Sequence, residues 1–108
     1  MDLLVEQSDA LTGEVNVPGD KSISHRAVIF GSLAEGASVF SNFLMGEDCL
    51  ATLKALSDMG VKSSINGNKI TIHGVGLHGL KPPTKSLLLG NSGTSARLLL
   101  GLLGAQKF

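Results

Sequence analysis

The residue pattern predicts an α+β fold: a two-layer unit of order strand–helix–strand–helix–strand–strand (βαβαββ), then one further strand and helix. Three observations carry this reading. Two apolar stripes at helical spacing each end on a glycine, an Asn66-Gly67-Asn68 turn separates two strand-like runs, and a leucine-rich helix closes the chain. With 108 residues, 43% hydrophobic and 17% charged, the chain is long and apolar enough to fold around one core.

Glu14 to Val17 alternates polar and apolar and ends at Pro18-Gly19, the pattern of a strand running into a turn. From Ser22, the residues Ile23, Ala27, Phe30 and Ala34 form a helical stripe that Gly36 stops. Ala37 to Phe43, rich in Val and Phe, suits a strand. Glu47 and Asp48 open a second helix, placing acids where the macrodipole favours them. Its stripe is Cys49 or Leu50, Leu53, Leu56 and Met59, closed by Gly60. Val61 to Ile65 and Lys69 to His73 then flank the hairpin turn. After Pro82-Pro83, Ser86 to Leu89 reads as a short strand, and Gly90 to Thr94 leads into a helix reaching about Ala105. That helix has hardly any polar face; such a helix is normally buried on every side, and 108 residues offer little to cover its free face. It also lies directly before the last residue, Phe108. Together these features lead to the expectation that the chain was cut from something larger.

Composition excludes several classes. Nine basic residues balance nine acidic ones, and the aromatics are four Phe, so neither a basic field nor stacking platforms for nucleic acid are expected. Cys49 is alone, which rules out an intrachain disulfide and points to a reducing cytoplasm. The opening residues lack the basic and apolar regions of a signal peptide, and the longest apolar run is too short for a membrane span.

Two segments carry chemistry. Pro18-Gly19-Asp20-Lys21-Ser22-Ile23-Ser24-His25-Arg26 lies at a strand-to-helix turn, where free backbone N–H groups favour anions. Ser22 and Arg26 share a helix face, with Lys21 just before them, so a hydroxyl and two cations converge in a way that suits a carboxylate or phosphate. The alternative is an N-cap, Asp20 or Ser22, followed by solvated charges. Gly90-Asn91-Ser92-Gly93-Thr94-Ser95-Ala96-Arg97 repeats the logic at a second helix start. It is not a P-loop, since no Gly-Lys-Ser/Thr closes it, and an ordinary cap is again the plain alternative. Two such helix starts in one short chain point to ligands with more than one negative group. His25 is expected to pack rather than act as a base, His73 and His78 to lie on the surface, and Cys49 to sit in the core. Asp48 could orient Arg26 or Lys21, or simply serve the helix dipole.

Pro-Gly-Asp-Lys-Ser-Ile-Ser-His-Arg at 18–26 and Leu-Gly-Asn-Ser-Gly-Thr-Ser-Ala-Arg-Leu at 89–98 resemble the two N-terminal signatures of 5-enolpyruvylshikimate-3-phosphate synthases. Glu47-Asp48 and Ala55-Leu56-Ser57-Asp58-Met59-Gly60-Val61 are similar to the family's intervening segment, so the likeness runs along nearly the whole chain. It implies transfer of an enolpyruvyl group from phosphoenolpyruvate to shikimate 3-phosphate through a tetrahedral intermediate, with no metal or organic cofactor and with a monomeric intact enzyme. It implies that Lys21 lies between both substrates, that Ser22 and Arg26 hold the shikimate carboxylate, and that Gly93 lines the phosphoenolpyruvate pocket. Asn91, Thr94 and Arg97 would support that loop. Leu98 stands where many members carry proline.

The resemblance further implies two lobes of three βαβαββ units each. Residues 18–80 would be the first unit, 81–108 the start of the second, and 1–17 a hinge or opposite-lobe segment. The chain by itself is then expected to be inactive and to self-associate. Rivals are an enolpyruvyl transferase acting on UDP-N-acetylglucosamine, an RNA-cyclase-like enzyme and a free-standing binding module. Lys21-Ser22 with Arg26 argues against the first, and the neutral charge and lack of Trp or Tyr against the second.

Overall fold

A computed structural model describes residues 1–108. Its elements run α1 (Lys21–Leu33), β1 (Glu35–Phe40), α2 (Glu47–Asp58), β2 (Lys62–Asn66), β3 (Lys69–Val75) and α3 (Gly93–Gly104). The three strands form one antiparallel sheet in the order β1-β3-β2. The expected hairpin is present, with Asn66 opposite Lys69 and Ile65 opposite Ile70. Alternation along β3 turns Ile70 and Ile72 into the core while Lys69 and His73 face out.

The helices gather on the side to which those isoleucines point. Val28 of α1 joins Cys49, Leu53, Ala55 and Leu56 of α2, and Met59 at its C-cap, in a single buried cluster with Ile70 and Ile72. The α2 stripe is as the periodicity predicts, with Cys49 rather than Leu50 fully enclosed. Helices α1 and α2 point in the same direction: Lys21 meets Asp48 and Cys49, and one turn further along both helices His25 meets Thr52. Helix α3 packs on α2 and buries Leu99, with Leu102 and Leu103 partly covered. Leu98 and Leu100 remain 41% and 75% exposed, so the free face of α3 is left uncovered within these 108 residues, as expected.

Three expectations are corrected. The α1 stripe predicted from Ile23, Ala27, Phe30 and Ala34 is not the buried one. Ile23 and Phe30 are 59% and 65% exposed, and the enclosed face is Ser24, His25, Val28, Gly31 and Ser32. Apolar periodicity fails here because the buried face is built from small and polar residues with specific partners: Ser24 Oγ accepts from Leu44 N at 3.1 Å, and Ser32 Oγ donates to Val28 O at 2.6 Å. Neither Glu14–Val17 nor Ser86–Leu89 forms a strand. A strand needs a neighbour along its length, and these segments have none. Residues 16–17 meet the sheet end-on beside Asn42 and Asn68. Ser86 and Leu88 lie beside Lys54 and Asp58 of α2. The first 18 residues are exposed throughout, and the chain measures 60 × 32 × 21 Å, with a radius of gyration of 17.7 Å against about 13 Å for a compact domain of this size.

The reassigned face of α1 is directly testable by urea unfolding. Val28→Ala should destabilise by about 1–2 kcal/mol, whereas Phe30→Ala should cost less than about 1 kcal/mol. A loss of about 3–5 kcal/mol for Phe30→Ala, the range for a buried phenylalanine, would restore the original stripe.

Candidate functional site

The site begins with the turn that launches α1. Pro18-Gly19 passes under the loop after β1, where Asn42 adopts a left-handed conformation with φ 56° and its Nδ2 donates to Val17 O at 3.3 Å. A Cβ on Gly19 would strike the Asn42 carbonyl oxygen and come within 2.9 Å of Leu44 N, so only glycine permits this crossing. Asp20 then caps α1, its Oδ2 accepting from Ile23 N at 2.8 Å. With Asp20 as the cap, Ser22 is released from that duty. Its Oγ accepts from Arg26 Nη1 at 2.9 Å, and both side chains face solvent.

Lys21 turns toward α2 and forms an ion pair with Asp48, the two side chains being 55% and 29% exposed. This decides the open question about Asp48: its partner is Lys21. The hydrogen bond that Lys21 donates to the Asp48 carboxylate, and then the carboxylate's charge, raise the Lys21 pKa, so the ammonium stays protonated. Lys21, Leu44, Gly46, Glu47, Asp48 and Cys49 together line an open recess of about 290 Å³.

The second segment is built on α3. Ser92 is its cap, with Oγ accepting from Ser95 N at 3.1 Å. Asn91, Gly93, Thr94 and Arg97 are all exposed, while Ser92 and Ser95 are buried. Gly93 has no positive φ, so its absent side chain is a matter of space. A Cβ there would lie 2.5 Å from Arg97 Nη1 and would push the guanidinium aside.

A buried chain of hydroxyls connects the two segments, and the sequence reading did not anticipate it. His25 Nδ1 lies 2.9 Å from Thr52 Oγ1, Thr52 Oγ1 lies 2.5 Å from Ser95 Oγ, and Ser95 Oγ lies 2.6 Å from Ser92 Oγ. Ser95 Oγ also donates to the Asp48 carbonyl at 3.3 Å. These contacts hold the N-terminal turns of α1, α2 and α3 together, so three positive helix ends converge, with Glu47 and Asp48 as the acids of the middle one. Free backbone N–H groups at helix starts of this kind favour anions. The one available signal was Thr52, a polar residue at a stripe position of α2 between Cys49 and Leu56.

His25 packs as expected, 1% exposed, and its Nε2 is buried without a partner. His73 and His78 are on the surface and Cys49 is fully buried. Burial pushes the Cys49 thiol pKa up, so it is a packed thiol rather than a thiolate. No group of three or more His, Cys, Asp or Glu lies close enough to hold a metal ion, and no helix is long and apolar enough to cross a membrane.

This arrangement can be set beside known proteins. The family described as EPSP synthase (3-phosphoshikimate 1-carboxyvinyltransferase) matches residues 5–108. The chain belongs to that family. It is 59% identical over 105 residues to the 3-phosphoshikimate 1-carboxyvinyltransferase of Ruthia magnifica subsp. Calyptogena magnifica, covering 97% of this chain and 24% of that protein. It is 57% identical over 111 residues to that of Desulforamulus reducens, covering 100% of this chain and 25% of the relative. The solved EPSP synthase from Acinetobacter baumannii superposes with a TM-score of 0.84 at 58% identity, over 89% of this chain and 22% of that one. The chain therefore spans about a quarter of the length of the relatives it matches. The family membership expected from residues 18–26 and 89–98 is correct.

Burial of His25 predicts a pH dependence. Burial is the main cause that lowers its pKa, with the nearby Lys21 charge adding to the effect and Asp48 opposing it. The unfolded chain takes up a proton on this residue near pH 6.5, while the folded chain resists doing so. Below about pH 6.5 the unfolded state therefore binds more protons, and stability falls as the pH drops. His25→Asn, which keeps a polar partner for Thr52, should flatten the decline in melting temperature between pH 7 and 5.5. Identical slopes for the two proteins would contradict this.

Proposed function

We propose that the protein this chain belongs to transfers the enolpyruvyl group of phosphoenolpyruvate to the 5-hydroxyl of shikimate 3-phosphate, releasing phosphate. The observation that carries this reading is the convergence of three helix N-termini with Lys21, Ser22 and Arg26 at its mouth, in a chain of this family. Both substrates are multiply charged anions, which is the chemistry such a receptor selects.

In this reading Arg26, held by Ser22, engages the shikimate carboxylate through two oxygens, and Ser22 donates its own hydroxyl to the same group. Lys21 exchanges its contact with Asp48 for the substrates and sits between them. Gly93 gives phosphoenolpyruvate room to approach the start of α3, with Asn91, Thr94 and Arg97 shaping that loop. Because the guanidinium of Arg97 lies over Gly93, anything added at 93 reaches the ligand partly by displacing Arg97. The reaction adds the shikimate hydroxyl across the enol double bond and then expels phosphate, so acid and base groups must flank these anion sites. We assign those groups to the parts of the protein beyond these 108 residues. Residues 18–80 are read as the first βαβαββ unit of a lobe and 81–108 as the opening of the next. Residues 1–17 are read as reaching toward the hinge. In that setting Glu14–Val17 and Ser86–Leu89 find the strand neighbours they lack here.

The test uses full-length protein carrying this segment and follows phosphate release from phosphoenolpyruvate. Release should depend on shikimate 3-phosphate, and the 108-residue chain alone should show none. Arg26→Ala should weaken shikimate 3-phosphate binding by roughly 2–4 kcal/mol, the worth of a charge-assisted pair. A dissociation constant within about twofold of the parent would sink the assignment of Arg26.

Gly93→Ala separates space from backbone. The phosphoenolpyruvate Michaelis constant should rise while melting temperature barely moves, because the helical φ at 93 suits alanine. A lowered melting temperature with an unchanged Michaelis constant would show that Gly93 serves the fold alone.

A further inference from the structure

We propose that Thr52 and Ser95 are positioning residues: their hydroxyls set the spacing between the anion group at the start of α1 and the one at the start of α3. The inference rests on the functional reading above and adds residues that neither signature segment singles out for binding.

Thr52 is the only side chain that contacts the other two helices through one polar atom. Its Oγ1 meets His25 Nδ1 of α1 at 2.9 Å and Ser95 Oγ of α3 at 2.5 Å. Ser95 continues the chain to the α3 cap, Ser92, at 2.6 Å, and anchors it on the Asp48 carbonyl at 3.3 Å. All four members, His25, Thr52, Ser92 and Ser95, are at most 3% exposed. Buried hydroxyls left unpaired are costly, so this chain accepts only a narrow range of distances between the helices.

Its ends lie at the two substrate groups. His25 is adjacent in sequence to Arg26 and one turn after Lys21, and Ser92 and Ser95 flank Gly93 and Thr94. None of the four faces solvent, so none is placed to touch a ligand; they act through what they hold. His25 Nε2, buried without a partner, marks the end of the chain inside α1. Because a displacement of about 1 Å between reacting groups can cost on the order of a hundredfold in rate, a contact that fixes separation shows itself in turnover rather than in affinity for either partner.

The experiment compares Thr52→Val, Ser95→Ala and Thr52→Ser in the full-length protein, measuring kcat, both Michaelis constants and melting temperature. Thr52→Val removes the central hydroxyl at constant shape, and Ser95→Ala breaks the link with a small residue suited to a helix. Each should lower kcat by about tenfold or more while both Michaelis constants stay within about threefold. Thr52→Ser, which keeps the hydroxyl, should retain kcat within about twofold. The proposal is overturned if kcat holds in the folded variants, whatever happens to melting temperature. It is equally overturned if the change is confined to the Michaelis constant of one substrate. A parent protein that releases no phosphate would overturn the functional reading itself, an outcome distinguishable from losses confined to the variants.

Discussion

Asp48 is the point on which the structure depends, because it serves three helices at once. It sits in the first turn of α2, its carboxylate holds Lys21 at the start of α1, and its carbonyl accepts the hydroxyl of Ser95 from the start of α3. Bringing three helix N-termini together concentrates positive potential that is unfavourable without a counter-charge. Glu47 and Asp48 supply it from the middle helix. Beside it, Lys21 is paired with Asp48, and Arg26 with Ser22 faces solvent.

That arrangement explains why α1 is turned as it is. To place Ser24 against Leu44 and His25 against Thr52, the helix must bury its small and polar residues and leave Ile23 and Phe30 outward. Burying a polar group is tolerable when it is bonded, and here Ser24 Oγ and His25 Nδ1 have partners while His25 Nε2 has none. The outward apolar residues of α1, together with Leu98 and Leu100 of α3, form exposed apolar surface.

Much of the fold was legible from local signals. The three helices and the hairpin announce themselves through periodicity, glycine stops and the Asn-Gly turn, and the structure has them within a few residues. The α1 face was not legible, because hydrophobic spacing cannot see a buried surface made of serines and a histidine. Glu14–Val17 and Ser86–Leu89 have strand-like sequences without strand geometry, since pairing is a property of neighbours and not of the segment. At the candidate site, Lys21, Ser22, Arg26 and Gly93 stand out by type and position. Thr52 and Ser95 do not, because their role comes only from a contact spanning 43 residues of sequence.

The central claim is that the starts of α1 and α3 form one anion receptor rather than two adjacent caps. Amide NMR of full-length protein isotopically labelled in this segment, titrated with shikimate 3-phosphate and phosphoenolpyruvate together, tests it most directly. One receptor predicts that the amides of Lys21, Ser22, Gly93 and Thr94 shift along a common titration curve. Curves with separate midpoints for residues 21–22 and 93–94, or shifts at only one of the two, would contradict it.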